Sequence, residues 1–313
     1  PLVFNYALEN VRTVVRNFVP VFVSRGVVQL SAYVDQLLAS LLPIGAVAGL
    51  GYAALLSTLP VSLFGMSVSA AELPAMSSVL GGEQEIAEQL SRRLNFGLRQ
   101  IAFFVVPSAM AFLALGDVVN AAIFQSGRFT RHDSLFVWGI LAGSSVGLLA
   151  STMGRLYSST YYALRDTRTP LRYAIVRVAL TSGLGYIFAL PLPRLIGINP
   201  SWGVAGLTAS AGIAGWVEFA LLRRTLNRRI GRTGLASRFV VKLWFSALSG
   251  AALGWVIKLL IGHRNPIIMA ATILVPYVIT YFLVTSALGV PEAASMAKRI
   301  LRLLKASGKT SNT

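Results

Sequence analysis

Apolar runs of about 20 residues recur along the chain, each long enough to cross the hydrocarbon core as a helix. They cover 17–42, 46–80, 98–115, 135–156, 171–190, 202–222, 239–261 and 267–288, with short polar or basic joints between them. The pattern predicts an all-α polytopic membrane protein with about eight transmembrane helices. The second run is too long for one plain span and contains Pro60 and Pro74, so it is expected to kink and continue into the interface. Small residues crowd the sixth run at Gly203, Gly206, Ala209, Gly212 and Gly215, which predicts close helix-helix packing there. Beyond Pro291, Ala293, Met296, Ile300, Leu303 and Leu304 recur at helical spacing beside Lys298, Arg299, Arg302 and Lys305. That segment is expected to lie on the membrane surface. No internal repeat is visible.

Composition agrees: 55% of residues are hydrophobic and 12% charged, roughly half the charged share of a soluble domain. The net charge of +17 comes from 28 Lys and Arg against 11 Asp and Glu. In a soluble protein such an excess points to nucleic acid. Here the basic residues sit between apolar runs without aromatic interleaving, which argues against a nucleic-acid partner.

The basic residues instead set the orientation, because cytoplasmic loops retain Lys and Arg. A cytoplasmic start places Arg12, Arg16, Arg92, Arg93, Arg99, Arg155, Arg165, Arg168 and Arg172 inside, with the basic loop from Arg223 to Arg238, Lys242 and the basic tail. The opposite loops keep Arg128, Arg131, Arg194 and Arg264. Both ends are therefore expected in the cytoplasm. Without cysteine there are no disulfides and no thiol chemistry. There is no Gly-rich phosphate loop, nucleophile elbow or helically spaced His pair, and His132 and His263 lie far apart, so neither an enzyme nor a metal centre is expected. The chain starts at Pro1 with no signal peptide, and its start is expected to be a cut within a longer protein.

Charge inside a span costs at least about 2.5–3.5 kcal/mol near the bilayer centre, so such residues are functional candidates. On the first run Arg25, Gln29, Ala32 and Gln36 share one helical stripe, with Asp35 at its edge. The stripe is expected to line a cavity, where Arg25 can hold a phosphate and Asp35 a cation or proton. Structural pairing with polar groups on another helix is the open alternative. Glu218, Lys258, Asp117 and Glu72 lie near span ends and are expected to reach the interface by snorkelling.

Four segments resemble the MurJ/MviN family of lipid II flippases, within the multidrug/oligosaccharidyl-lipid/polysaccharide exporter superfamily. They are 29–42 (QLSAYVDQLLASLL), 51–74 (GYAALLSTLPVSLFGMSVSAAELP), 124–133 (FQSGRFTRHD) and 161–170 (YYALRDTRTP). The resemblance implies a fourteen-span protein, of which this chain holds the seventh to the fourteenth spans. Residues 1–222 would form the six-helix C-terminal lobe, 223–290 two additional helices with a groove for a lipid tail, and 291–313 a basic amphipathic cytoplasmic tail. It further implies a transporter of the bacterial inner membrane, not an enzyme, that flips a polyprenyl-diphosphate-linked peptidoglycan precursor, lipid II, by alternating access. Its partners would be the lipid bilayer, that glycolipid and the N-terminal lobe of the same protein. No cofactor is implied; a monovalent cation or the membrane potential would supply coupling.

Departures from the family pattern bear on the site. The second span has Ala54, Leu55 and Thr58 where the family carries an Asp-Arg pair and a Glu. Arg25, at a position normally small or apolar, is a candidate for a relocated cavity cation. Asp35 resembles the acid of a sodium site found in some members, with Thr181 and Ser182 as further cation-site candidates and Gly185 where another acid would be expected. These gaps leave open an exporter of another lipid-linked saccharide, or a non-transporting membrane scaffold.

Overall fold

The computed structural model describes residues 31–79, 81–127, 129–261 and 265–296, together with Gly26 and Gln29. All regular secondary structure among these residues is helical. Helix α1 covers 31–40. Helix α2 (Ala46–Pro60) runs through a π-helical segment (Val61–Met66) into α3 (Ser67–Ser77). Then follow α4 (Glu83–Phe124), α5 (Arg131–Ala163), α6 (Arg168–Ala189), the short α7 (Pro191–Leu195), α8 (Gly203–Ile230), α9 (Ser237–Ile261) and α10 (Pro266–Ala287). Among the described residues 7 helical stretches are long and apolar enough to cross a membrane. Helix α1 belongs to the first predicted run, most of whose remainder lies outside the described residues.

The kink expected at Pro60 takes the form of the π-helical segment that follows it. Proline has no N–H to close the i→i−4 bond, and a local π register absorbs the fault. Buried Gly65 lets the segment press against Thr152 of α5.

Helices α4 and α5 form the centre. The most apolar windows of these two are 56% and 50% buried, whereas those of the outer helices are 17–39% buried. Fully enclosed Leu90, Leu94, Leu98, Ile101, Leu141 and Leu156 bring the two helices together. The small face of α8 packs against α5 as its composition predicts. Gly147 and Gly212 meet backbone to backbone, and a Cβ on either would collide with the other's main chain.

Two faults in α4 are sealed by aromatic side chains from its neighbours. Pro107 leaves the carbonyl of Phe103 without its helical donor; the Tyr281 hydroxyl of α10 donates to that oxygen at 2.6 Å. Tyr277 donates to the Pro107 carbonyl, also at 2.6 Å. Further along, Leu115 departs from helical geometry (φ −127°, ψ 15°). Around this break Trp138 Nε1 reaches the carbonyls of Phe112 and Leu113, and Trp255 Nε1 that of Ala114 at 2.9 Å. In a membrane such orphaned backbone groups need protein partners.

The helix ends correct one expectation. Helix α8 continues to Ile230, so Arg223, Arg224, Arg228 and Arg229 lie on a helix and not in a loop. Gly231 (φ 85°) and Gly234 (φ 125°) make the turn into α9, and Arg223 Nε donates to the Thr233 carbonyl at 3.0 Å. Two of the resembling segments prove to be joints. In 124–133 the Thr130 and Asp133 side chains form a capping box at the start of α5. In 161–170, Arg165 takes a left-handed conformation (φ 58°), and Asp166 accepts from the Thr169 backbone at 3.0 Å, the Thr169 hydroxyl at 2.7 Å and Arg229 of α8 at 2.6 Å.

Candidate functional site

On α6, Arg177, Thr181 and Gly185 recur every four residues and so share one face. Opposite lies a face of α8 bearing Ser210, Ala214 and Glu218. Gly185 sits where α1, α6 and α8 converge: a Cβ there would meet Leu207 at 2.8 Å, Leu38 at 3.4 Å and the Ser210 hydroxyl at 3.5 Å. Two turns towards the start of α6, Arg177 forms a 3.1 Å ion pair with Glu218; these side chains are 28% and 13% exposed.

Asp35 stands one turn before Leu38 on α1, as Thr181 stands one turn before Gly185 on α6. The charge of Arg177 acts on the Asp35 carboxylate. Asp35 Oδ1 and Thr181 Oγ1 are both buried and have no hydrogen-bond partner among the described residues. Buried polar atoms normally find partners, so two orphans in one groove mark it as a place built for something besides stability. The groove thus holds one guanidinium, two carboxylates and the hydroxyls of Thr181 and Ser210.

The candidates read from the sequence divide. Asp35 turns inward, half-buried, and Thr181 is buried beside the same groove, with Ser182 half-buried on the adjoining face. Gln29, Ala32 and Gln36 are exposed and face away from the described helices. Arg25 lies outside the described residues. On α2, Ala54, Leu55 and Thr58 are all exposed, Leu55 by 62%.

The charged residues near the span ends are paired across helices. Glu218 is held by Arg177, and Lys258 Nζ meets Asp117 Oδ2 at 2.6 Å with both side chains mostly buried. Glu72 pairs with Arg93 at 3.5 Å. In each case the side chain meets a counter-charge on another helix, which lowers the cost of a charge held near the membrane. Sequence reasoning missed Arg177 altogether. Its signal was an arginine inside the fifth apolar run with a glutamate inside the sixth.

The family model described as lipid II flippase MurJ matches residues 1–274. The chain belongs to the lipid II flippase MurJ family. Among its relatives, a probable lipid II flippase MurJ of Rhizobium tropici is 28% identical over 249 residues, covering 78% of this chain and 44% of the relative. A lipid II flippase MurJ of Burkholderia cenocepacia is 29% identical over 219 residues, covering 70% of this chain and 40% of the relative. The chain therefore spans less than half the length of these curated MurJ relatives. A solved structure, lipid II flippase MurJ in an inward closed conformation, superposes with a TM-score of 0.71 at 23% identity over 87% of this chain and 53% of that one. The MurJ fold accounts for the arrangement of the helices. MurJ membership and the apolar spans make this a multi-pass inner-membrane protein of a family named for transport, not catalysis.

Proposed function

We propose that this chain is the C-terminal part of a transporter that flips lipid II, a polyprenyl-diphosphate-linked peptidoglycan precursor, across the inner membrane by alternating access. One observation carries the reading: in a MurJ-family chain, Arg177 is held half-buried by Glu218 in a groove that also holds Asp35. An arginine at membrane depth is costly and is kept where its charge is used. Its planar fork suits a diphosphate, which would compete with Glu218 for the guanidinium. A monovalent cation or the membrane potential would provide coupling, with Asp35 and Thr181 as the groups available to a cation.

The α9–α10 hairpin fits a lateral path for the polyprenyl tail. Leu259, Leu260 and Leu283 are 75%, 80% and 65% exposed, and a long tail leaves hydrocarbon only at great cost. The loop charges favour both ends of the chain in the cytoplasm.

A second reading, export of another lipid-linked saccharide, is favoured by one observation. Ala54, Leu55 and Thr58 are exposed on α2 where the family pattern carries charge. Complementation separates the two. The full-length parent gene is expressed in cells depleted of their lipid II flippase, beside versions carrying Arg25→Ala, Arg177→Ala, and Arg177→Ala with Glu218→Ala. Rescue by the parent that is lost in both Arg177 variants, at equal membrane levels, supports lipid II flipping through this groove. Failure of the well-expressed parent transfers the assignment to another saccharide.

A further inference from the structure

We propose that the cavity enclosed by the ends of α4 and α9 and the starts of α5 and α10 binds the phosphodiester headgroup of a glycerophospholipid, with one acyl chain lying against the α9–α10 hairpin. The cavity holds about 350 Å³ and is separate from the α1–α6–α8 groove. Lys258, Arg131 and Asp117 line it, two cationic side chains and one anionic. Leu135, Leu259 and Met269 supply an apolar wall.

Lys258 is fixed in place from two sides. Its ammonium meets Asp117 at 2.6 Å and lies 4.7 Å from the centroid of the Trp255 ring. Trp255 is itself anchored by its bond to the Ala114 carbonyl at the α4 break. An ammonium has three donors, and the carboxylate takes one. The side chain is thus set at the cavity with donors to spare for phosphate oxygens, and Asp117 acts as its holder.

The surroundings indicate a lipid and not a free anion. All four helices begin or end here, at the level where headgroups lie. Trp202 and Trp255, 42% and 41% exposed, are at this same end, as expected of an interfacial aromatic belt. Next to the charged cavity the surface is apolar: Leu259, Leu260, Ile267 and Ile268 are 75%, 80%, 67% and 55% exposed. A ligand satisfying both parts needs a phosphate and a hydrocarbon chain in one molecule. Such a lipid would staple the hairpin to the central helices α4 and α5.

The test uses the purified chain in an uncharged detergent, with retained lipid counted by native mass spectrometry and thermal unfolding followed by tryptophan fluorescence. Phosphatidylglycerol, a diacylglycerol with the same acyl chains, and inorganic phosphate are added separately. The variants are Arg131→Gln, and Asp117→Asn combined with Lys258→Met, which removes cation and anion together so that no buried charge is left unpaired. Arg92→Gln removes an equal charge at the other end of α4. Expected is one phosphatidylglycerol retained per chain by the parent and by Arg92→Gln, with retention about tenfold weaker in the two cavity variants. The proposal is overturned by any of three results. Equal retention of diacylglycerol would mean apolar contact alone; equal stabilisation by inorganic phosphate would mean a plain anion site; unchanged retention in the cavity variants would place the lipid elsewhere.

Discussion

Tyr281→Phe removes one hydroxyl and nothing else, because the ring keeps its place beside Phe103 at 5.6 Å between centroids. What it exposes is the Phe103 carbonyl, which has no helical donor because residue 107 is proline. A buried carbonyl left unsatisfied costs about 1–3 kcal/mol in soluble proteins. Interhelical hydrogen bonds in membranes average about 0.6 kcal/mol, since the unfolded chain in lipid also finds partners. A loss of about 1 kcal/mol is expected here. In a Pro107→Ala background the backbone N–H of residue 107 returns and closes the Phe103 bond, so the same Tyr281→Phe change should cost close to nothing. The coupling between the two positions is therefore about 1 kcal/mol. Tyr277→Phe is the control: the Pro107 carbonyl keeps its own helical donor, and its loss should be small and independent of residue 107. Unfolding in mixed detergent micelles, followed through the 5 tryptophans, measures all of these. Equal costs of Tyr281→Phe in both backgrounds would refute the idea that α10 docks by sealing the proline fault.

Further outcomes follow from other contacts. Gly147→Leu should cost about 3 kcal/mol or more by forcing α5 and α8 apart. Gly154→Ala, where a Cβ meets nothing within 4 Å, should be near neutral; recovery of monodisperse protein compares them. Breaking the Arg177–Glu218 pair with Glu218→Ala should destabilise by about 1–2 kcal/mol, less than the 3–5 kcal/mol of a fully buried pair because Arg177 retains some exposure. The double alanine variant should recover most of that loss, as read by the same unfolding assay.

Asp166 makes a pH prediction. Burial raises its carboxyl, but the backbone and hydroxyl bonds from Thr169 and the Arg229 guanidinium outweigh burial and hold it below the usual carboxylate value. A lowered folded value contributes stability that is present above the unfolded value and is lost as pH falls through the folded one. The parent should therefore be more stable than Asp166→Asn at neutral pH, with the difference vanishing in acid. A difference that persists unchanged at low pH would mean that the charge contributes nothing to the joint.

Much of the fold could be read along the chain, and the reason is physical. A spanning helix satisfies its own backbone, so length and hydropathy suffice to find it. Pro60 marked its kink through a missing N–H, and the small face of α8 marked its closest contact through missing side-chain bulk. The resembling segments 124–133 and 161–170 carried their own explanation as well, since Thr130 with Asp133 and Asp166 with Thr169 form local caps within three residues.

The site was only half legible. Asp35 and Thr181 stood out as polar residues in apolar runs, whereas Arg177 passed unnoticed and Glu218 was read as a residue reaching for water. Partnership across 41 residues leaves no local mark. The same holds for Lys258 and Asp117, which are 141 residues apart and meet at the cavity between α4 and α9.

By itself the sequence determined that this protein lives in a bilayer, which stretches of it span, that the second span bends at Pro60, and which family it resembles, because those properties depend on hydropathy, proline chemistry and local sequence. Only the tertiary structure decided which charges pair, which polar atoms remain orphaned and which aromatic hydroxyl closes the fault at Pro107. In a low-dielectric interior the fate of each polar group depends on what lies within about 3 Å of it, and that distance is set by how the helices pack.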